Sequence, residues 1–141
     1  MKIMAIDYGD ARTGVAFSDP GGVLVGETLV VEEWNAQRLA EKLAALYRER
    51  GAARLVIGRP LNMDGSAGPR AEKSAEMARL LRELTGAEVV ELDERRTTVD
   101  AHRILSANGK KTKKHKATVD AVAASLILET YLNSAACKER P

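Results

Sequence analysis

Cysteine is almost missing: Cys137 is the single one among 141 residues. That excludes an internal disulfide and any cysteine-based zinc site, and its polar surroundings near the C-terminus assign it no role. Aromatic residues make up only 4%. So low a content argues against a platform on which successive bases stack, and favours recognition of a nucleic-acid backbone over reading of single bases. No apolar run approaches the ~20 residues that span a bilayer, and no leader-like segment precedes the first apolar run. A cytoplasmic protein without membrane association is therefore expected. There is no Gly-x-x-x-x-Gly-Lys loop and no Ser/His/Asp arrangement. His102 and His115 have no partner at metal-ligand spacing.

What remains is an ordinary globular composition, 45% hydrophobic and 30% charged, at a length that supports one domain with a core of its own. Residues 1–141 are read as that single domain, with 133–141 as a flexible tail. Repeats, linkers and low-complexity segments are lacking. The net charge is only +2, but Lys110, Lys111, Lys113, Lys114 and Lys116 crowd into one short stretch, which leaves the rest of the chain at −3. A basic run of this kind can be a solvated loop. Running directly into the helix that carries Asp120, it can equally contact phosphates.

Hydrophobic periodicity gives the order β-β-β-α-β-α-β-α-α. Strands are expected at Lys2–Asp7, Thr13–Ser18 and Glu27–Val31, the last two separated by the turn signal Asp19-Pro20-Gly21-Gly22. A helix over Ala36–Arg50 turns Leu39, Leu43, Leu46 and Tyr47 inward. The wholly apolar middle of Arg54–Gly58 suits a central parallel strand. Arg59–Pro69 reads as a loop. Arg70–Thr85 reads as a helix with Ala71, Ala75 or Ala78, Leu81 and Leu84 inward, and Glu88–Leu92 as a fifth strand. Helices over Thr97–Ala107 and Val119–Leu132 complete the chain, the last with Val122, Ala123, Leu126 and Ile127 inward. An antiparallel meander followed by right-handed crossovers makes a mixed five-stranded α/β sheet, three meander strands plus two parallel ones, with helices on both faces.

Three acids stand at the ends of these elements: Asp7 closes the first strand, Glu94 follows the fifth, and Asp120 opens the last helix. A carboxylate at the edge of a core is costly unless something compensates it. Three together suit a hard divalent cation that keeps positions open for water and phosphate, which is the chemistry of a metal-dependent nuclease. Each has a plainer alternative. Asp7 can cap the Tyr8–Arg12 turn. Thr97 or Thr98 can cap the next helix beside a structural Glu94. Asp120 can be a favourable acid in a first helical turn. Arg12, Arg95, Lys113, Lys114 and Lys116 are candidate phosphate contacts, joined by Asn62 and Ser66 in the Arg59–Pro69 segment if that segment is more than an ordinary loop.

The motifs Asp7-Tyr8-Gly9…Arg12-Thr13-Gly14-Val15-Ala16, Pro60-Leu61-Asn62-Met63-Asp64-Gly65-Ser66, Asp93-Glu94-Arg95 with Thr97-Thr98, and Asp120…Ala123-Ala124…Ile127-Leu128-Glu129-Thr130-Tyr131-Leu132 occur in order. With them the chain, from Ile6 to Leu132, resembles the YqgF/RuvX family of pre-16S rRNA nuclease and Holliday junction resolvase-like proteins. The resemblance implies a ribonuclease H-like fold, and Asp7, Glu94 and Asp120 as catalytic acids that hold Mg²⁺ or Mn²⁺. It also implies structured RNA as substrate, in ribosomal precursor particles, with branched DNA as the alternative. Resolution of junctions calls for a homodimer, whereas RNA trimming needs only a monomer. A non-catalytic nucleic-acid-binding module is the reading from another class. An actin-like phosphotransferase shares the Asp-x-Gly opening but needs a second domain, for which 141 residues leave no room. Arg59 and Arg96 depart from the family pattern, in which a hydrophobic residue is expected at both positions.

Overall fold

The computed structural model describes residues 1–93 and 112–134, and over 112–119 the backbone alone. Five strands, β1 (Ile3–Asp7), β2 (Arg12–Ser18), β3 (Val25–Glu32), β4 (Arg54–Arg59) and β5 (Val89–Asp93), form one sheet in the order β3-β2-β1-β4-β5. β1 pairs antiparallel with β2, and β2 with β3, while β1–β4 and β4–β5 are parallel. The expected α/β architecture, a meander plus two parallel strands, is what forms. The expected helix at Thr97–Ala107 lies outside the described residues.

Alternation along the central strands splits the core in two. Met4 and Ile6 of β1, Val15 and Phe17 of β2, and Leu55 and Ile57 of β4 face one side. There they meet α1 (Ala36–Glu49) and α2 (Pro69–Thr85), whose buried residues are Leu39, Ala40, Leu43 and Ala44, and Ala71, Ser74, Met77, Ala78 and Leu81. Of the two alanines proposed for the inner face of α2, Ala78 is buried and Ala75 only half-buried. Ile3, Ala5, Ala16 and Val56 face the other side, against α3 (Thr112–Leu132).

Local chemistry marks the helix ends. Asn35 caps α1 by accepting the amide of Arg38 at 2.9 Å. Pro69 starts α2, where its missing N–H costs nothing, and Gly86 stops it in the left-handed conformation at φ 70°. At the far end of α3, the buried Arg54 donates to the Tyr131 hydroxyl at 2.9 Å. That bond satisfies the one polar atom of a side chain otherwise sunk in the core.

The structure corrects the sequence reading of α3 twice. First, the helix begins at Thr112, not Val119, so Lys113, Lys114 and Lys116 belong to a helix and not to a loop. Lysine and alanine are good helix formers, and no Gly or Pro between Thr112 and Val119 breaks the run. Second, the inward face is Ala123, Ala124, Ile127, Leu128, Tyr131 and Leu132, while Val122 and Leu126 are only half-buried. The segment is apolar nearly all round, so its own pattern does not fix the rotation. Close approach to β2 does.

Candidate active site

Asp7 is the last residue of β1, at the carboxyl end of a central strand, where ligands gather in open α/β sheets. Two positions beyond Ala5, it shares the sheet face covered by α3. Its partner across the antiparallel pair is Gly14. A Cβ on Gly14 would lie 2.0 Å from the carbonyl oxygen of Asp120 and 3.3 Å from the Cβ of Ala124. The missing side chain therefore lets α3 rest on the strand, and it brings Asp120 next to the Asp7 pair. The intervening turn is tied by Thr13, whose hydroxyl bonds both the amide and the carbonyl of Gly9 at 3.3 Å. A side chain on Gly9 would strike the carbonyl oxygen of Arg12 at 2.2 Å.

Asp120 is the ninth residue of α3, which overturns its reading as a first-turn acid: with two turns of helix ahead of it, the dipole of the N-terminus no longer explains it. Its side chain is only 25% exposed, and Arg12 Nε stands 3.5 Å from its Oδ2. That Nε is buried without a hydrogen-bond partner, so the contact is a long ion pair. Burial pushes the Asp120 carboxyl above its ordinary range, and Arg12 and then Arg70 pull against that shift without cancelling it. Arg70, in the first turn of α2, is an exposed cation close enough to act on Asp120 through its charge, and sequence reading missed it. The sequence carries no signal for it, because only the placement of α2, which starts at Pro69, brings Arg70 to this edge of the sheet.

The second parallel strand adds Arg59, in register with Asp93. Arg59 Nε is likewise buried and unpartnered among the described residues. In the following loop Asn62 donates to the Ser66 hydroxyl at 3.0 Å, and Ser66 donates to Asp64 at 2.6 Å. The Asn62 amide meets the Ser66 carbonyl at 2.9 Å. This is a self-bonded loop with Gly65 at φ 88°, so the two side chains proposed for phosphate contact are joined to each other. Glu94, Arg95, Arg96, Lys110 and Lys111 lie outside the described residues, as do the side chains of Lys113, Lys114 and Lys116.

Asp7 and Asp120 offer an oxygen-only donor set, and burial disfavours the charge on the half-buried Asp120 carboxylate, a penalty that a bound cation would offset. Both traits fit a hard divalent cation. Among the described residues no three acidic, histidine or cysteine side chains cluster as a metal site.

The profile of the RuvX family, described as Holliday junction resolvase, matches residues 1–134. The chain belongs to that family. Curated relatives include proteins named "Putative pre-16S rRNA nuclease" from Ruminiclostridium cellulolyticum, 39% identical over 134 residues and 94% of each chain. Another, from Halothermothrix orenii, is 40% identical over 94% of this chain and 95% of its own. Among solved structures, T. thermophilus RuvC in complex with a Holliday junction superposes with a TM-score of 0.62 at 11% identity, over 95% of this chain and 97% of that one. At that identity the likeness speaks for the fold, and the fold of this RuvX protein is the RuvC-like, ribonuclease H-like one.

Proposed function

We propose that this RuvX protein is a divalent-metal-dependent nuclease that hydrolyses phosphodiester bonds in the cytoplasm and trims the precursor of 16S rRNA within ribosomal precursor particles. One observation carries the reading: Asp7 and Asp120, far apart in sequence, converge through Gly14 at the carboxyl edge of the sheet. The names of the curated relatives support the substrate. Among the described residues no helix is long and apolar enough to cross a membrane.

Asp7, Asp120 and Glu94, the residue that follows β5, are the catalytic acids and the ligands of Mg²⁺ or Mn²⁺. When bound, such a cation supplies an activated water and neutralises charge on the scissile phosphate. The chain's own part is positional. Gly14 sets the depth of Asp120, and Thr13 fixes the turn that carries Arg12. Arg12 pairs with Asp120 until a substrate phosphate offers its guanidinium a second, charge-assisted partner. Arg95, Lys113, Lys114 and Lys116 extend the cationic track, and Asn62 and Ser66 shape the loop at its rim. One such site trims an RNA end, so a monomer suffices.

Side-by-side cleavage of a structured precursor rRNA end and a four-way DNA junction tests the reading. Mg²⁺-dependent cutting of the RNA, absent with chelator and lost in Asp7→Asn, is the expected result. Paired nicking of the junction with no action on RNA would make it a branched-DNA resolvase. Binding without cleavage of either would make it a non-catalytic module.

A further inference from the structure

The same sheet edge carries a second recess, on the face opposite Asp7 and Asp120. It is a cavity of about 460 Å³ lined by Tyr8, Asp10, Trp34, Lys73, Met77 and Leu80. Tyr8 is the residue after Asp7, packed against the α1/α2 core, so the cavity opens at the same edge of the sheet as the acid but on its other face. Lys73, Met77 and Leu80 come from one stripe of α2 at helical spacing.

Trp34 is 79% exposed, an unusual state for the chain's single tryptophan. Its backbone is nevertheless tied on both sides. The Glu33 amide bonds the carbonyl of Ala11 at 3.0 Å, the Glu33 carboxylate holds Lys42 at 2.9 Å and accepts the Asn35 amide at 3.1 Å, and Asn35 caps α1. A large ring presented on a fixed turn loses little freedom when something stacks on it. The cavity is mainly apolar, and its one lysine is already paired with Asp10 at 3.3 Å. Glu76, the other acid on its wall, is engaged by Arg79. Such a lining repels a phosphate. It accepts a flat, neutral ring with polar hydrogens at its rim.

We propose that this cavity binds one unpaired nucleobase, stacked on Trp34 beside Tyr8, from the nucleotide next to the phosphate held at Asp7 and Asp120. The inference rests on the nuclease reading only for what sits at the neighbouring edge. A duplex supplies one only by unstacking and unpairing it, at a cost in free energy, so the cavity makes the protein selective for a frayed or single-stranded end. The low aromatic content had argued against base contact, but the fold gathers two of those few rings in one place.

Because Trp34 is the sole tryptophan, its emission reports this cavity alone. The full-length protein is titrated in chelator, where metal-dependent cutting is stopped, with a short unstructured RNA oligonucleotide and with a blunt RNA duplex of the same length. The single strand should quench Trp34 saturably and the duplex should not. Trp34→Ala should weaken single-strand affinity by about 5- to 150-fold, the range for one stacked base, and Trp34→Phe should restore much of it. Equal affinity in wild type and Trp34→Ala, quenching no greater with single strand than with duplex, or no binding of the single strand overturns the proposal. Cleavage plays no part in these readouts. A protein that cuts rRNA without quenching refutes the cavity alone, and one that quenches without ever cutting refutes the nuclease alone.

Discussion

Replacing Gly14 with alanine tests the convergence of the two acids directly. The added Cβ would sit 2.0 Å from the Asp120 carbonyl oxygen and 2.6 Å from its carbonyl carbon, and contacts under 3.0 Å are essentially never seen. The obstacle is helix backbone, not the end of a flexible side chain, so α3 has to lift by at least about 1 Å around Asp120. Further along, Ile127, Leu128 and Tyr131 pin the same helix in the core, so the strain cannot be relieved by sliding the whole element. Overpacking of this kind costs ~1–3 kcal/mol, which in a domain of this size lowers Tm by roughly 3–10 °C. A displacement of about 1 Å at a reacting centre costs on the order of 100-fold in rate. Gly14→Ala is therefore expected to remain folded at 25 °C, to melt a few degrees early, and to lose far more cleavage than its lost stability explains. Gly51→Ala is the control. Gly51 has φ +68° with nothing near its missing Cβ, so alanine there strains the backbone by about 1 kcal/mol and should leave cleavage alone. Melting curves and rates for the two variants, measured together, decide the matter. A Gly14→Ala protein that melts and cuts like wild type would refute the placement of α3 on β2.

Asp7→Asn and Glu94→Gln should fold normally, lose cleavage, and no longer gain Tm from added Mg²⁺; an equal Mg²⁺ gain in wild type and both variants would put the metal elsewhere. Replacing Lys110, Lys111, Lys113 and Lys114 with glutamine should flatten the log–log salt dependence of single-strand binding by ~0.7 for each phosphate no longer neutralised, and an unchanged slope would return the run to solvent. Asp19 accepts the amides of Leu24 and Val23, and these bonds hold its carboxyl below the ordinary value of 3.8. Its contribution to stability is thus present above the unfolded value and lost as pH falls through the lowered one. Wild type should lose its advantage over Asp19→Ala on acidification through that window, and a pH-independent difference between their melts would contradict the assignment.

The fold was legible where chemistry left a single option. Leu55, Val56 and Ile57 are apolar on both faces and read as a central strand, and Leu39 and Leu43 repeat as only a helix allows. α3 was less legible because its signals are degenerate. Lysines suit a helix surface as well as a loop, and a segment apolar on most sides does not say which side packs. What fixes its rotation is a small residue on another strand, Gly14, meeting Asp120 and Ala124. The acids at Asp7 and Asp120 could be picked out because an ionised group at a strand end or beside an apolar run needs a reason. Arg70 could not, since an arginine at a helix start is ordinary until the helix is placed. The Trp34 cavity escaped for a similar reason: composition counts rings but is blind to their meeting.

Taken together, these contacts describe an edge arranged against its own stability. A half-buried Asp120 would ordinarily be relieved by a well-made ion pair, yet Arg12 meets it at 3.5 Å with its Nε unbonded. Arg59 likewise keeps a buried donor without a partner among the described residues. Unmet donors and a desolvated carboxylate each cost free energy in a core. A sequence selected for stability alone would replace them with apolar groups of similar size. Arg54 Nε is a third such donor at the opposite end of β4, so unmet donors alone do not mark a site; at this edge they stand beside Asp120, which Gly14 lets α3 bring close, and that combination suits a cation and a phosphate. On the proposed reading, a cation would relieve the carboxylates and phosphate oxygens would relieve the guanidinium groups, so each ligand would fit the edge better with the other in place.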